Sequence, residues 1–176
     1  MTERQKYQVL QKYEGFELRK YDACVVAQVI IHDEYKTAAT KAFRHLFNYI
    51  SKGNAGSASI AMTAPVIALT ESSLESEQWK VHFVMPAGSS LAQMPLPNAS
   101  QVELIEIPAE NCVAISFRGR ATKRLSERKE DVLRLAAQKA HFSLSQETRI
   151  CRFDPPFKPG FLQYNEIVIP VYLDAP

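Results

Sequence analysis

The chain has 176 residues, 46% of them apolar, and a net charge of +2 from 21 basic and 19 acidic side chains. One domain spanning 1–176 can bury a full core at this size without staples, and the balanced charge with no dense basic run argues against a nucleic-acid partner. Cys24, Cys112 and Cys151 are odd in number, far apart and outside any CxxC, which argues against a zinc site or redox pair and for reduced thiols in the cytoplasm. The first six residues are polar with no signal-peptide h-region, and no apolar run is long enough to span a bilayer.

Residues 7–10 and 16–21 alternate around Glu14 and Gly15, which predicts a hairpin. Residues 24–31 are rich in valine and isoleucine and predict a buried strand. Asp33 is placed to cap a helix over 34–52 that stops at Gly53. A small polar loop over 54–59 leads into two apolar segments, 60–62 and 66–69, separated by Pro65, where the strand must break, bulge or turn. A charged loop over 71–78 precedes an alternating strand over 79–85, ended by Pro86. Residues 87–100 hold Pro95 and Pro97 and predict a crossing loop. Strands follow over 101–107 and 111–117. Thr122 or Ser126 caps a second helix ending near His141, with Leu125, Val132, Leu133, Ala136 and Ala140 on its apolar face. A short strand over 149–153, a proline-rich loop over 154–160 and a last strand over 165–173 complete the chain.

The order strand, helix, strand, strand occurs twice, at 24–85 and again at 111–173. It predicts an α+β fold: a distorted mixed or antiparallel β-barrel from two βαββ repeats, with two α-helices packed on it. The run Ile60, Ala61, Met62, Thr63, Ala64, Pro65, Val66 resembles the central signature of the SOUL/heme-binding-protein family. Phe16, Glu17, Arg19 and Tyr21 are similar to that family's early strand. Phe43, Leu46, Tyr49 and Ile50 followed by Gly53 and Asn54 match its first helix and exit. Residues 83–86, 96–97, 154–157 and 165–171 fit its middle and end, so the resemblance covers nearly the whole chain. It implies a distorted barrel made of such halves, an architecture that also resembles the small-molecule-binding domain of some bacterial transcription regulators. There are two departures. Lys20 stands where some members carry a histidine proposed as an axial heme ligand. Gln163 and Tyr164 stand where two basic residues often precede the late Asn-Glu pair. Both remove groups that hold iron or a propionate.

On a helix over 35–50, Ala38, Ala39, Ala42, Leu46 and Tyr49 fill the middle of an apolar arc of roughly 180° and face the sheet. Phe43 and Phe47 sit one turn apart at its edge, with Lys36, Thr40 and Arg44 beside them. Two aromatic rings flanked by cations suit a flat apolar ligand with acidic arms, such as heme or another tetrapyrrole. The resemblance implies that Thr40, Phe43, Phe47 and Asn48 line the heme surface, and Phe161 in the 159–164 loop joins the candidate set. The alternative is that Phe43 and Phe47 are core, covered by that loop.

His45 lies about 160–200° around the helix from Phe43 and Phe47. His32, His82 and His141 are expected at the surface or as caps, and Met62 as core filler rather than a ligand. No triad, metal cluster or phosphate loop has recognisable spacing, so no catalytic or metal residue is assigned. Glu166 is the one acid inside an apolar strand. It either contacts a cationic ligand, as a buried glutamate can in the regulator-type domains, or pairs with Arg19 or a backbone amine. The expectation is a cytoplasmic tetrapyrrole-binding protein without a strong axial ligand. The alternatives are a sensing domain for a non-heme hydrophobic molecule and an enzyme acting on a tetrapyrrole. Oligomeric state is left open.

Overall fold

The computed structural model describes residues 1–173. In chain order these form β1 (Glu3–Arg4), β2 (Tyr7–Tyr13), β3 (Phe16–Tyr21), β4 (Cys24–His32), α1 (Tyr35–Ile50), β5 (Thr63–Ala64), β6 (Val66–Thr70) and β7 (Gln78–Val84). Then come β8 (Glu103–Ile107), β9 (Glu110–Arg118), α2 (Lys123–Lys139), β10 (Ser143–Leu144), β11 (Thr148–Arg152), a 3-10 turn at Gly160–Leu162 and β12 (Tyr164–Tyr172). No helix among the described residues is long and apolar enough to cross a membrane.

The main sheet runs β2-β3-β9-β12-β11-β6-β7-β4-β8, with β10 beside β12. Every neighbouring pair in it is antiparallel. The two expected halves are present. β4-α1-β6-β7 lies in the order β6-β7-β4, and β9-α2-β11-β12 in the order β11-β12-β9. They meet where β6 pairs with β11, from Thr70 opposite Thr148 to Val66 opposite Arg152. The ends β2 and β8 do not pair with each other, so the sheet is a curled half-barrel.

Both faces of this sheet are covered. Leu46, Tyr49, Trp79, Leu133 and Ile150 form the larger core under the helices, while Tyr21, Val26, Ile67, Cys112, Cys151 and Val168 form a second cluster on the opposite face. Double burial explains the unbroken apolar runs 24–27 in β4, 112–115 in β9 and 167–171 in β12. Buried polar tips find partners: Trp79 Nε1 donates to the Ser76 carbonyl at 2.9 Å and Tyr49 Oη to the Pro95 carbonyl at 2.8 Å.

Residues 60–62 differ from expectation: they are not a strand. The Ile60 N–H donates to the Ile50 carbonyl at 2.8 Å and Ser59 bridges Ser51, so this stretch is tied to the exit of α1 instead of the sheet. Only β5 follows, paired in parallel with β1, before a cis Ala64-Pro65 bond turns the chain into β6. Met62 is half-buried at the rim of the larger core. Asn54 fixes the exit loop, its buried amide donating to the Tyr49 and Ala58 carbonyls, each at 2.8 Å.

The caps divide. The N-cap of α1 is Glu34, with no side-chain cap. Asp33 sits one residue early, accepting from the Glu34 N–H at 2.8 Å and pairing with Lys41. At α2, Thr122 Oγ1 accepts from the Leu125 N–H at 3.2 Å, as expected.

Candidate functional site

α1 lies against β4 and β7, burying Tyr35, Ala38, Ala42, Leu46, Tyr49 and Ile50. The flank beside this stripe carries Phe43 and Phe47. Their rings stack 5.6 Å apart at an interplanar angle of 12°, and Phe43 meets Phe83 of β7 edge-on at 5.4 Å. Both remain open, Phe43 40% and Phe47 49% exposed, so they are neither core nor capped by the 159–164 loop. Phe83 fixes the inner ring and leaves the outer ring as a platform. Offset stacking of this kind adds about 0.5–1.5 kcal/mol beyond area burial.

Lys36 projects about 20° around the helix from each phenylalanine, and Thr40 and Arg44 follow on the same side. All three are exposed, and neither cation has a carboxylate partner among the described residues. Asn48 lies about 100° around the helix from Phe47. It is exposed, and its carbonyl accepts from the Gly53 N–H at 2.8 Å. Phe161 is exposed in the 3-10 turn, and no aromatic contact joins it to Phe43 or Phe47.

The histidines stand away from the aromatic pair. His45 is half-buried on the opposite flank of α1. His32 and His141 are exposed, at the ends of β4 and α2. His82 corrects the expectation of a surface position. It is buried on the helix-free face, its Nε2 2.8 Å from Gln28 Oε1, and burial holds its pKa down to about 3. Gln28, the polar residue inside β4, stands opposite His82 in register and supplies its partner.

That face also holds the network around Glu166. Arg19 donates to both carboxylate oxygens, at 2.8 and 3.0 Å, and Tyr164 Oη donates to Oε1 at 2.6 Å. Arg19 also donates to Glu17 at 2.8 Å and to Tyr21 Oη at 3.1 Å, and lies 4.1 Å from the centre of the Tyr7 ring. Burial works against the Arg19 charge, but its hydrogen bond to Glu166 raises the pKa overall. Burial and the bond to Glu166 push Tyr164 up to about 12. Of the two readings of Glu166, the structure has the pair with Arg19. The cleft left beside it, lined by Arg4, Tyr7, Tyr21, Phe153 and Glu166, measures about 30 Å³.

The chain's fold is similar to the EcmrR C-terminal domain, 16% identical over 94% of this chain and 98% of that one, with a TM-score of 0.68. It is similar to a Listeria innocua hydrolase encoded by lin2189, 10% identical over 93% and 94%, at 0.63. It is also similar to a putative transcription regulation protein from Staphylococcus aureus MU50, 12% identical over 96% and 99%, at 0.52. At these identities the likeness is one of fold. No curated protein matches the chain. The SOUL heme-binding protein family matches residues 2–170, nearly its full length, and the chain belongs to that family.

Proposed function

We propose that the protein binds a tetrapyrrole such as heme on the outer flank of α1, by apolar contact and flanking cations, without a nitrogen ligand to iron. The observation that carries this is the stacked Phe43/Phe47 pair. It is exposed and anchored from below, with unpaired Lys36 and Arg44 beside it and His45 on the far side. A porphyrin plane lies on the rings, Lys36 and Arg44 meet its carboxylates, and Thr40 offers a hydroxyl between them. Asn48 is a further side chain for the ligand's rim, whereas Phe161 stands in the 3-10 turn without an aromatic contact to the pair. When bound, heme would supply a redox-active iron. The residues of this flank bind and orient the plane and place no nitrogen donor on the metal.

The cleft beside Glu166 is the weaker candidate for a small molecule. Arg19 already neutralises Glu166, and that cleft holds no more than a few waters at about 10–15 Å³ each. Parallel titrations with heme and metal-free protoporphyrin, followed by absorbance and fluorescence, test the reading.

A further inference from the structure

We propose that α2 and the turn before β12 form a docking surface for an anionic lipid bilayer. Two separate elements present large apolar side chains to solvent. Phe157 is 87% exposed and Phe161 75% exposed in the 155–162 segment, and Val132 and Leu135 are 53% and 56% exposed on α2. Single exposed apolar residues need no explanation, but several on two elements that adjoin through Arg118 and Arg120, beside unpaired cations, mark an interaction surface.

The frame is basic. At 100° per residue, Arg124, Arg128, Val132, Leu135 and Lys139 fall within an arc of about 80° on α2. Ser126, Leu133 and Ala137 are buried on the other side, so this arc is the outer face. Glu127 and Asp131 lie at its edge, and Glu127 faces Lys123 at 3.5 Å. The turn stands over two more arginines. Arg118 donates to the Leu162 carbonyl at 3.0 Å, and Gly160 packs so close to Arg120 that an added Cβ would lie 3.4 Å from its side chain. Arg118, Arg120, Arg124, Arg128 and Lys139 have no carboxylate partner among the described residues. Asp154, the acid of the turn, is taken by Lys158 at 2.7 Å and by the Tyr164 N–H at 2.7 Å.

Projecting phenylalanines beside unpaired cations match the interfacial layer of a bilayer, where rings enter the acyl boundary and cations meet lipid phosphates and carboxylates. A nucleic acid would use the cations but leave Phe157, Val132 and Leu135 without a role. The surface is distinct from the Phe43/Phe47 flank.

Co-sedimentation with vesicles of phosphatidylcholine containing roughly one third phosphatidylserine tests this, against pure phosphatidylcholine vesicles and a DNA duplex. The wild-type chain is expected to sediment with the anionic vesicles and to be released in part by raising salt to about 0.5 M. Arg124→Glu/Arg128→Glu should lower the bound fraction at least tenfold, reversing about two units of attraction per molecule. Phe157→Ser should lower binding at both salt concentrations. These side chains are exposed, so matching circular dichroism and unfolding midpoints verify the fold. Phe47→Asp should leave vesicle binding unchanged. The proposal is overturned if the wild type ignores anionic vesicles, if the charge-reversed variant binds them as the wild type does, if Phe47→Asp alone abolishes binding, or if only the DNA duplex is bound through these arginines.

Discussion

Arg19 and Glu166 are 147 residues apart in the chain and joined by two hydrogen bonds at 2.8 and 3.0 Å, both side chains buried on the helix-free face. The bond ties the hairpin strand β3 to the last strand across β9. Removing one partner strands a buried charge, which typically costs about 3–5 kcal/mol, whereas replacing both with apolar groups is often near neutral. Arg19→Met is therefore expected to lower stability by about that amount, and Arg19→Met/Glu166→Leu to recover most of it. Urea unfolding of the three proteins checks this, and equal losses in the single and double variants would contradict it.

His82 gives the protein an acid-sensitive term. In the unfolded chain its pKa is near 6.5, and in the fold burial holds it at about 3. Between those values the unfolded chain binds the proton and the folded one does not. Stability from this site is thus complete above about pH 6.5 and is lost as pH falls, at roughly 1.4 kcal/mol per pH unit. His82→Gln keeps a partner for Gln28 and does not titrate. Its unfolding free energy should fall less steeply from pH 6.5 to pH 4 than the wild type's, and parallel slopes would refute the assignment.

Met62 and Ile67 stand in the two apolar segments on either side of Pro65, 60–62 and 66–69. Met62 is half-buried and outside any strand, while Ile67 is buried in β6 opposite Cys151 and His82. Met62→Asp is expected to cost about 1–2 kcal/mol and leave a cooperative fold. Ile67→Asp buries an unpaired carboxylate and should abolish folding. Thermal melts decide between them; the reverse order would move the signature's core segment to residues 60–62.

Much of this was legible in the sequence. Period-two runs and the cap at Thr122 place most strands and α2, and the repeated element order places the two halves. Phe43, Phe47 and Lys36 were readable as one flank because helical spacing alone sets their angle. Three features were not. The stretch 60–62 is apolar like a strand, but its backbone partner is Ile50, which no local pattern reveals. His82 alternates as an outward residue would, yet the curled sheet covers that face too. The choice between partners for Glu166 depended on β3 and β12 flanking β9, a relationship of topology rather than of spacing.

The ratio of heme to metal-free protoporphyrin affinity decides whether the Phe43/Phe47 flank holds a tetrapyrrole plane with no protein donor on iron. Iron should matter little, so the two ligands should bind within about tenfold, or roughly 1.4 kcal/mol. Phe47→Asp should abolish both by removing apolar area and placing an anion beside the ligand's carboxylates, and His45→Ala should change neither. Heme binding far tighter than protoporphyrin binding would put a protein donor on iron, and a Soret shift that survives Phe47→Asp but disappears in His45→Ala would move the site to the other flank of α1.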